Sequence, residues 1–313
     1  MKLPKGMKDM LFDRGQQPRK PDSAADTTPD PKPEPAPEPI QPGGGEEQEA
    51  VPDGREIAAE NEFFILRAIH RLGHATSWQI SYMSGLNRRS VQRVIKRLSQ
   101  QNMLASAKLP NGEPVYLLRQ AGADELSLNW QRKVKRTNDD YGFIRSRLWK
   151  HRKLANDAAA ALSQNFQVYT EREIQTGRNP ARRREILPGK VPDLLYLDHL
   201  ESGNGWVWVE IERAYKKRSN YKHLIKTAEM IAMPREGARP MLGRKPILYF
   251  ALLAEDLDEA KRHVRRFMRQ YNVKKDEPLQ EHLGRYLESV YVIYWSDGAV
   301  NPRNIVWFFR DHC

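Results

Sequence analysis

From residue 57 onward the apolar positions fall three and four apart. Phe63, Phe64, Leu66, Ile69 and Leu72 share one helical face, and Gly73 stops the run. Thr76 stands where a cap starts a short helix whose Ile80 and Met83 turn inward, and Ser84 with Gly85 supplies the next turn. A third amphipathic run follows. Its buried stripe is Leu86, Val91, Val94, Ile95 and Leu98, which leaves Asn87, Arg88, Arg89, Gln92, Arg93, Lys96 and Arg97 outside. Two short apolar stretches, 104–109 and 115–118, flank Asn111 and Gly112, a pair suited to a tight hairpin turn.

Residues 121–140 read as a polar connector with a short helix at 125–130. The pattern then predicts one helix over 141–164, with Leu148, Leu154, Ala158, Ala161 and Leu162 as its packing stripe. Strands are expected at 166–174, 191–197, 206–213, 246–253, 290–294 and 304–309. Helices are expected between them at 220–233, 257–271 and 279–287. Alternation of this kind implies a mixed sheet covered by helices. The predicted class is therefore α/β (α+β): a winged helix-turn-helix over 56–120, the connector, and a mixed sheet flanked by helices over 141–313. Residues 1–55 are dense in proline, glutamate and lysine, as in PDPKPEPAPEPIQPGGG, and predict a disordered tail.

Charge narrows the partner. The 313 residues hold 52 Lys and Arg against 40 Asp and Glu, a net charge of +12, which argues for a polyanion and for nucleic acid before membrane. The longest apolar run, PILYFALLA, is too short to span a bilayer, and the N-terminus lacks the apolar core of a signal peptide. One cysteine, Cys313, excludes an internal disulfide or a cysteine-rich zinc site. These features predict a cytoplasmic protein that binds double-stranded DNA without membrane insertion. In a winged helix the third helix enters the major groove, so Asn87, Arg88, Arg89, Gln92, Arg93 and Lys96 are the candidate DNA-binding residues there. Arg182, Arg183 and Arg184, in the loop before residue 191, are candidates for phosphate contact.

Candidate chemistry centres on VPDLLYL and WVWVEIER. Residues two apart on a strand share a face, so Glu210 and Glu212 point the same way while Val207, Val209 and Ile211 point into a core. The turn-rich ESGNG allows the two strands to form a hairpin, which brings Asp193 toward both acids at an exposed sheet end. Three carboxylates there suit Mg²⁺ or Mn²⁺. The alternative reading is a solvated strand end with the acids paired to Arg213 or Lys216.

Pro192, Asp193, then Glu210, Ile211 and Glu212 resemble the PD-(D/E)xK nuclease superfamily, in which an Asp after a Pro is followed on the next strand by an acid, any residue and Lys. Here Glu212 stands at the Lys position, a variant that some active restriction enzymes share. The resemblance implies a restriction-endonuclease-like sheet, with Asp193, Glu210 and Glu212 as metal ligands, Glu212 alternatively a general base, and Lys216 or Lys217 replacing the missing Lys. The segment WKHRKLANDAAAAL, between a winged helix and this strand pair, is similar to the replication-relaxation family of plasmid and integrative-element proteins, related to the MobC-type conjugative relaxases. It covers roughly residues 60–225 and rests also on His151, Leu154, Asn156 and Asp157. It implies metal-dependent nicking at a transfer or replication origin, not the tyrosine site of the commoner relaxases, with His151 and Asn156 reaching the site; Tyr215 or Tyr221 would be the nucleophile only if a covalent DNA adduct forms, and otherwise these are packing residues. It also implies relaxosome or coupling proteins as partners of the tail. A non-catalytic DNA-binding regulator with an inactive nuclease fold is the competing expectation.

Overall fold

A computed structural model describes residues 53–137, 140–176, 191–198, 205–212, 218–232, 240–242, 245–270, 290–295 and 305–307. Residues 1–52 of the expected tail, the arginine loop, Tyr215, Lys216, Lys217 and the 279–287 helix lie outside these residues, whereas Gly54 and Arg55, expected in the tail, already belong to a helix. The chain divides into residues 1–57 and 58–313. The first unit is described only from Asp53, where helix α1 (Gly54–Leu72) begins; the rest of the fold belongs to the second.

α1 stops at Gly73, whose φ of 83° needs a residue without a Cβ. Strand β1 (His74–Ala75) leads into helix α2 (Ser77–Ser84). Thr76 and Gln79 cap its start reciprocally, each side chain taking the other's backbone N–H. Asn87 caps helix α3 (Arg88–Gln100) by accepting from Ser90 N. Strands β2 (Leu104–Lys108) and β3 (Pro114–Leu118) then form an antiparallel hairpin, and β1 adds to β3 on its other side. Ile65, Leu66, Ile69, Ile80, Val91, Leu98 and Leu118 pack together at its centre. Each fully buried aliphatic contributes about 1.5–3 kcal/mol. Helix α4 (Gln120–Trp130) is longer than the expected 125–130 segment.

The helix expected over 141–164 is two helices, α5 (Asp140–Arg145) and α6 (Trp149–Leu162). Ser146 makes the break: its hydroxyl donates to Phe143 O and accepts the Leu148 N–H, offering the backbone a turn in place of continued helix. The strand expected over 166–174 is likewise shorter. Strand β4 (Gln167–Thr170) ends where Thr170 and Glu173 form a second capping box and start helix α7 (Glu171–Gln175).

Strands β5 (Leu194–Asp198) and β6 (Gly205–Glu212) pair antiparallel. Helix α8 (Arg218–Ala232) and strand β7 (Met241–Leu242) follow, then strand β8 (Lys245–Ala254), parallel to β6. Helix α9 (Leu257–Gln270), strand β9 (Val290–Trp295) and strand β10 (Ile305–Trp307) complete the order. The large sheet runs β10-β9-β8-β6-β5-β4, with β7 paired to β8. Gly205 lets β6 pass close to its neighbour: a Cβ there would lie 2.2 Å from Leu248. The described residues thus form a mixed α/β fold with two sheets, and none of their helices is long and apolar enough to cross a membrane.

β6 is buried on both faces. Val207, Val209 and Ile211 join the core that extends to α1, whereas Trp206 and Trp208 join a second core with Leu224, Ile225 and Ala228 of α8. Between the small and large sheets lies α6, buried without interruption from Leu154 to Leu162. Its alanines allow close approach on both sides. Polar ties complete the junction: Gln79 Nε2 donates to Asp157 Oδ1 at 2.7 Å, Asn156 Nδ2 to His74 O at 2.8 Å, and Thr170 Oγ1 to Arg71 O at 2.7 Å. The Arg71 guanidinium also pairs with Glu173 at 2.8 Å.

Candidate functional site

Two surfaces carry the chemistry. On α3 the apolar side is buried through Val91, Ile95 and Leu98, and Arg88, Arg89, Gln92, Arg93 and Lys96 are exposed. Two neighbouring side chains are already engaged. Asn87 holds the helix cap, its Oδ1 accepting Ser90 N at 2.9 Å, and Arg97 pairs with Glu62 of α1. Arg93 Nη2 donates to Ser90 Oγ at 3.1 Å. The remaining guanidinium, amide and ammonium groups form a row of donors matched to an anionic partner.

The second surface surrounds Asp193, at the entrance to β5. Its backbone oxygen accepts the Glu171 N–H at 3.0 Å, and its Oδ2 accepts the Ile211 N–H at 2.8 Å. The hairpin register that pairs Leu194 with Val209 sets Asp193 opposite Glu210. Its Oδ1 meets His151 Nε2 at 3.2 Å, with the histidine side chain 34% exposed and the aspartate 14%. Burial works against charge on His151, but the hydrogen bond and charge of Asp193, with Glu212 adding to them, raise its pKa above the ordinary value. Protonated His151 then donates to Asp193. The pair is therefore a partly accessible imidazole and carboxylate in which Asp193 favours the protonated ring.

Glu210 and Glu212 do not lie at a solvated end. Their side chains are buried, at 3% and 2% exposure, and β6 is an interior strand between β5 and β8. The face expected to be open is closed by the second core. Glu210 Oε1 accepts the indole N–H of Trp208, its same-face neighbour, at 2.6 Å. Among the described residues, no group of three or more His, Cys, Asp and Glu side chains is arranged to hold a metal ion. With Asp193 held by Ile211 and His151, and Glu210 turned to Trp208, these carboxylates do not form the open three-acid cradle expected for Mg²⁺ or Mn²⁺.

Three further groups shape the site. Glu171, at the start of α7, pairs with Arg152 at 3.0 Å. Burial raises its pKa and the Asp193 charge adds to this, while Arg152 opposes them. Tyr221 is buried against His263, its hydroxyl 3.3 Å from Nδ1 and its ring stacked on the imidazole, and burial pushes its pKa up. A protonated, enclosed phenol is packed as a core group, contrary to a nucleophile's need for access. Asn156 faces His74, so it does not reach Asp193 as expected. Glu171 and Arg152 are absent from the sequence-based candidates. The Thr170-x-x-Glu173 capping signal is what could have placed a helix start, and hence Glu171, beside Asp193.

No protein-family model, curated protein or solved structure matches the chain.

Proposed function

We propose that the protein binds double-stranded DNA, with residues 56–120 acting as a winged helix and α3 entering the major groove. The observation that carries this reading is the exposed row Arg88, Arg89, Gln92, Arg93 and Lys96 on a helix whose opposite side is buried. Arg there has the forked donors that read guanine O6 and N7, Gln92 pairs an acceptor with a donor as the adenine edge requires, and Lys96 suits a phosphate. The test is titration of the full chain with a selected duplex and its scrambled counterpart. Arg88→Ala with Arg89→Ala is expected to reduce discrimination by about 1–3 kcal/mol per lost bidentate contact. Lys96→Ala should weaken both duplexes equally and lower the salt dependence. Unchanged discrimination in the double variant would reject α3 as the reading element.

The juxtaposition of Asp193, Glu210 and His151 favours a second reading, DNA nicking of the relaxase type by a PD-(D/E)xK-like sheet in a plasmid or integrative element. A divalent cation would require Asp193 and Glu210 to exchange His151 and Trp208 for the ion, so a binding regulator with an idle nuclease fold fits the present arrangement better. Incubation with supercoiled DNA carrying the element's own origin, with Mg²⁺ or Mn²⁺, separates the two. Nicking that Asp193→Ala abolishes, with duplex binding retained, would establish the enzyme.

A further inference from the structure

The corner between α5 and α6 sorts its cations into two sets. Arg152 pairs with Glu171 at 3.0 Å and lies over the Phe143 ring at 4.6 Å, and Lys153 pairs with Asp157 at 2.8 Å and with Glu113 at 3.6 Å. Arg145, Arg147 and Lys150, in the same stretch, are exposed and make no ion pair among the described residues. Lys150 rests its ammonium over the Trp149 ring at 5.7 Å, which keeps it at the surface.

The backbone beneath these three is anchored. Ile144 is 3% exposed and packs with Ala105, Leu109, Val115 and Leu117 of the β2–β3 hairpin, and Tyr141 and Trp149 lie against the same cluster. Lys153 ties α6 to Glu113, next to the Asn111–Gly112 turn. The corner therefore sits on the hairpin, and the residue after Lys150 is His151, which faces Asp193. Three unneutralised cations thus occupy a fixed strip between the hairpin and the His151–Asp193 pair.

We infer that the α5–α6 corner is a phosphate-backbone contact surface, through which Arg145, Arg147 and Lys150 extend duplex DNA binding from the hairpin toward His151 and Asp193. This rests on the DNA-binding reading proposed above. The partner chemistry follows from charge complementarity: unpaired Arg and Lys groups on an anchored strip match the regular negative charge of a phosphodiester backbone. One exposed leucine, Leu148 at 56%, supplies too little apolar surface for a membrane-seeking face.

The test compares the full chain with an Arg145→Ala, Arg147→Ala, Lys150→Ala variant and with Arg88→Ala, Arg89→Ala. The corner variant is expected to lose affinity by the same factor for selected and scrambled duplexes. Its slope of log affinity against log salt should fall by about 2 to 3, since each phosphate contact contributes about 0.9. Nuclease protection should shorten on one flank only, and Arg145→Lys with Arg147→Lys should retain the slope. Should the triple variant melt lower than the parent, Lys150→Ala alone, with a slope change of about 0.9, carries the comparison. An unchanged slope and footprint, alongside lost discrimination in the Arg88 and Arg89 variant, would overturn this inference and leave α3 standing. No duplex binding by the parent protein would overturn both. Loss of binding to anionic phosphatidylserine vesicles, with duplex binding intact, would reassign the corner to a lipid surface.

Discussion

Helix α3 and strand β6 both interleave apolar and charged residues, yet they dispose of charge in opposite ways. On α3 the period of 3.6 separates Val91, Ile95 and Leu98 from the exposed Arg88, Arg89, Gln92, Arg93 and Lys96. On β6 the period of two also separates two sets, but both faces are covered, so Glu210 and Glu212 share a core with Trp206 and Trp208. Charge on α3 keeps its water and is available to a partner. Charge on β6 has lost water and depends on protein partners, at a cost of several kcal/mol for any acid left without one. The difference separates surface recognition from a buried site whose pieces constrain each other.

The contrast breaks most visibly at Trp208. Trp208→Ala is expected to cost about 3–5 kcal/mol in urea unfolding, through the cavity and the lost donor to Glu210. Trp208→Phe, which keeps most of the volume, should cost about 1–3 kcal/mol. A Trp208→Phe loss near zero would show that the indole N–H to Glu210 does not matter, and a loss equal to that of Trp208→Ala would show that the cavity does not.

Asp157 extends the comparison to a buried acid with an explicit cation. Its side chain is 6% exposed between Lys153 and Gln79, and burial raises its pKa while Lys153 opposes that. Asp157→Ala should destabilise the protein by about 3 kcal/mol, because it removes the nearer of the two partners of Lys153, leaves the buried Gln79 amide without its acceptor and opens the junction between α2 and α6. A loss below about 1 kcal/mol would mean that the apolar packing of α6 holds the two sheets together unaided.

Glu259 tests the cost of inward charge by pH. Burial pushes its pKa from 4.5 to about 7. Its folded form binds the proton more tightly than the unfolded chain, so its stabilising contribution is full below about pH 4.5 and is lost as pH rises through about 7. Glu259→Gln should therefore gain up to about 3 kcal/mol over the parent at pH 8, with little difference at pH 4. Parallel stability curves for the two proteins would contradict this.

The His151–Asp193 pair has the opposite chemistry but the same linkage sign. With the His151 pKa raised, its pairing stabilises the fold below the unfolded value of 6.5 and is lost as pH rises through the folded value. Asp193→Asn should lower the His151 midpoint in an NMR titration, while Glu113→Gln should leave it in place. A midpoint unmoved by Asp193→Asn would dissolve the pair.

The smallest stability effect is expected on α3. Arg88→Ala and Arg89→Ala should each change unfolding free energy by less than about 0.5 kcal/mol, since both side chains are exposed. A large loss would show that these arginines hold the fold, and would remove the distinction from β6.

What was legible in the chain was what local pattern controls. The stripe Val91, Ile95 and Leu98, the stop at Gly73 and the Asn111–Gly112 turn are all short-range features, and their elements lie where expected. Two local signals were missed because longer patterns masked them. Ser146 breaks an apolar periodicity that continues on both sides of it, and the Thr170–Glu173 capping box lies inside a stretch rich enough in β-formers to suggest a strand. In WVWVEIE, alternation assigns residues to two faces but says nothing about which face meets solvent, and here neither does.

The sequence by itself determined the cap at Thr76, the two-sided character of α3 and the same-face placement of Glu210 and Glu212, because these follow from backbone period and residue type. Tertiary structure alone decided that α6 is buried between two sheets, that Trp208 and Glu210 share an enclosed face, and that His151 meets Asp193, 42 positions away in the chain. Such contacts depend on how elements distant in sequence stack. The free energy of that stacking comes from the whole apolar core, which no local run of residues encodes.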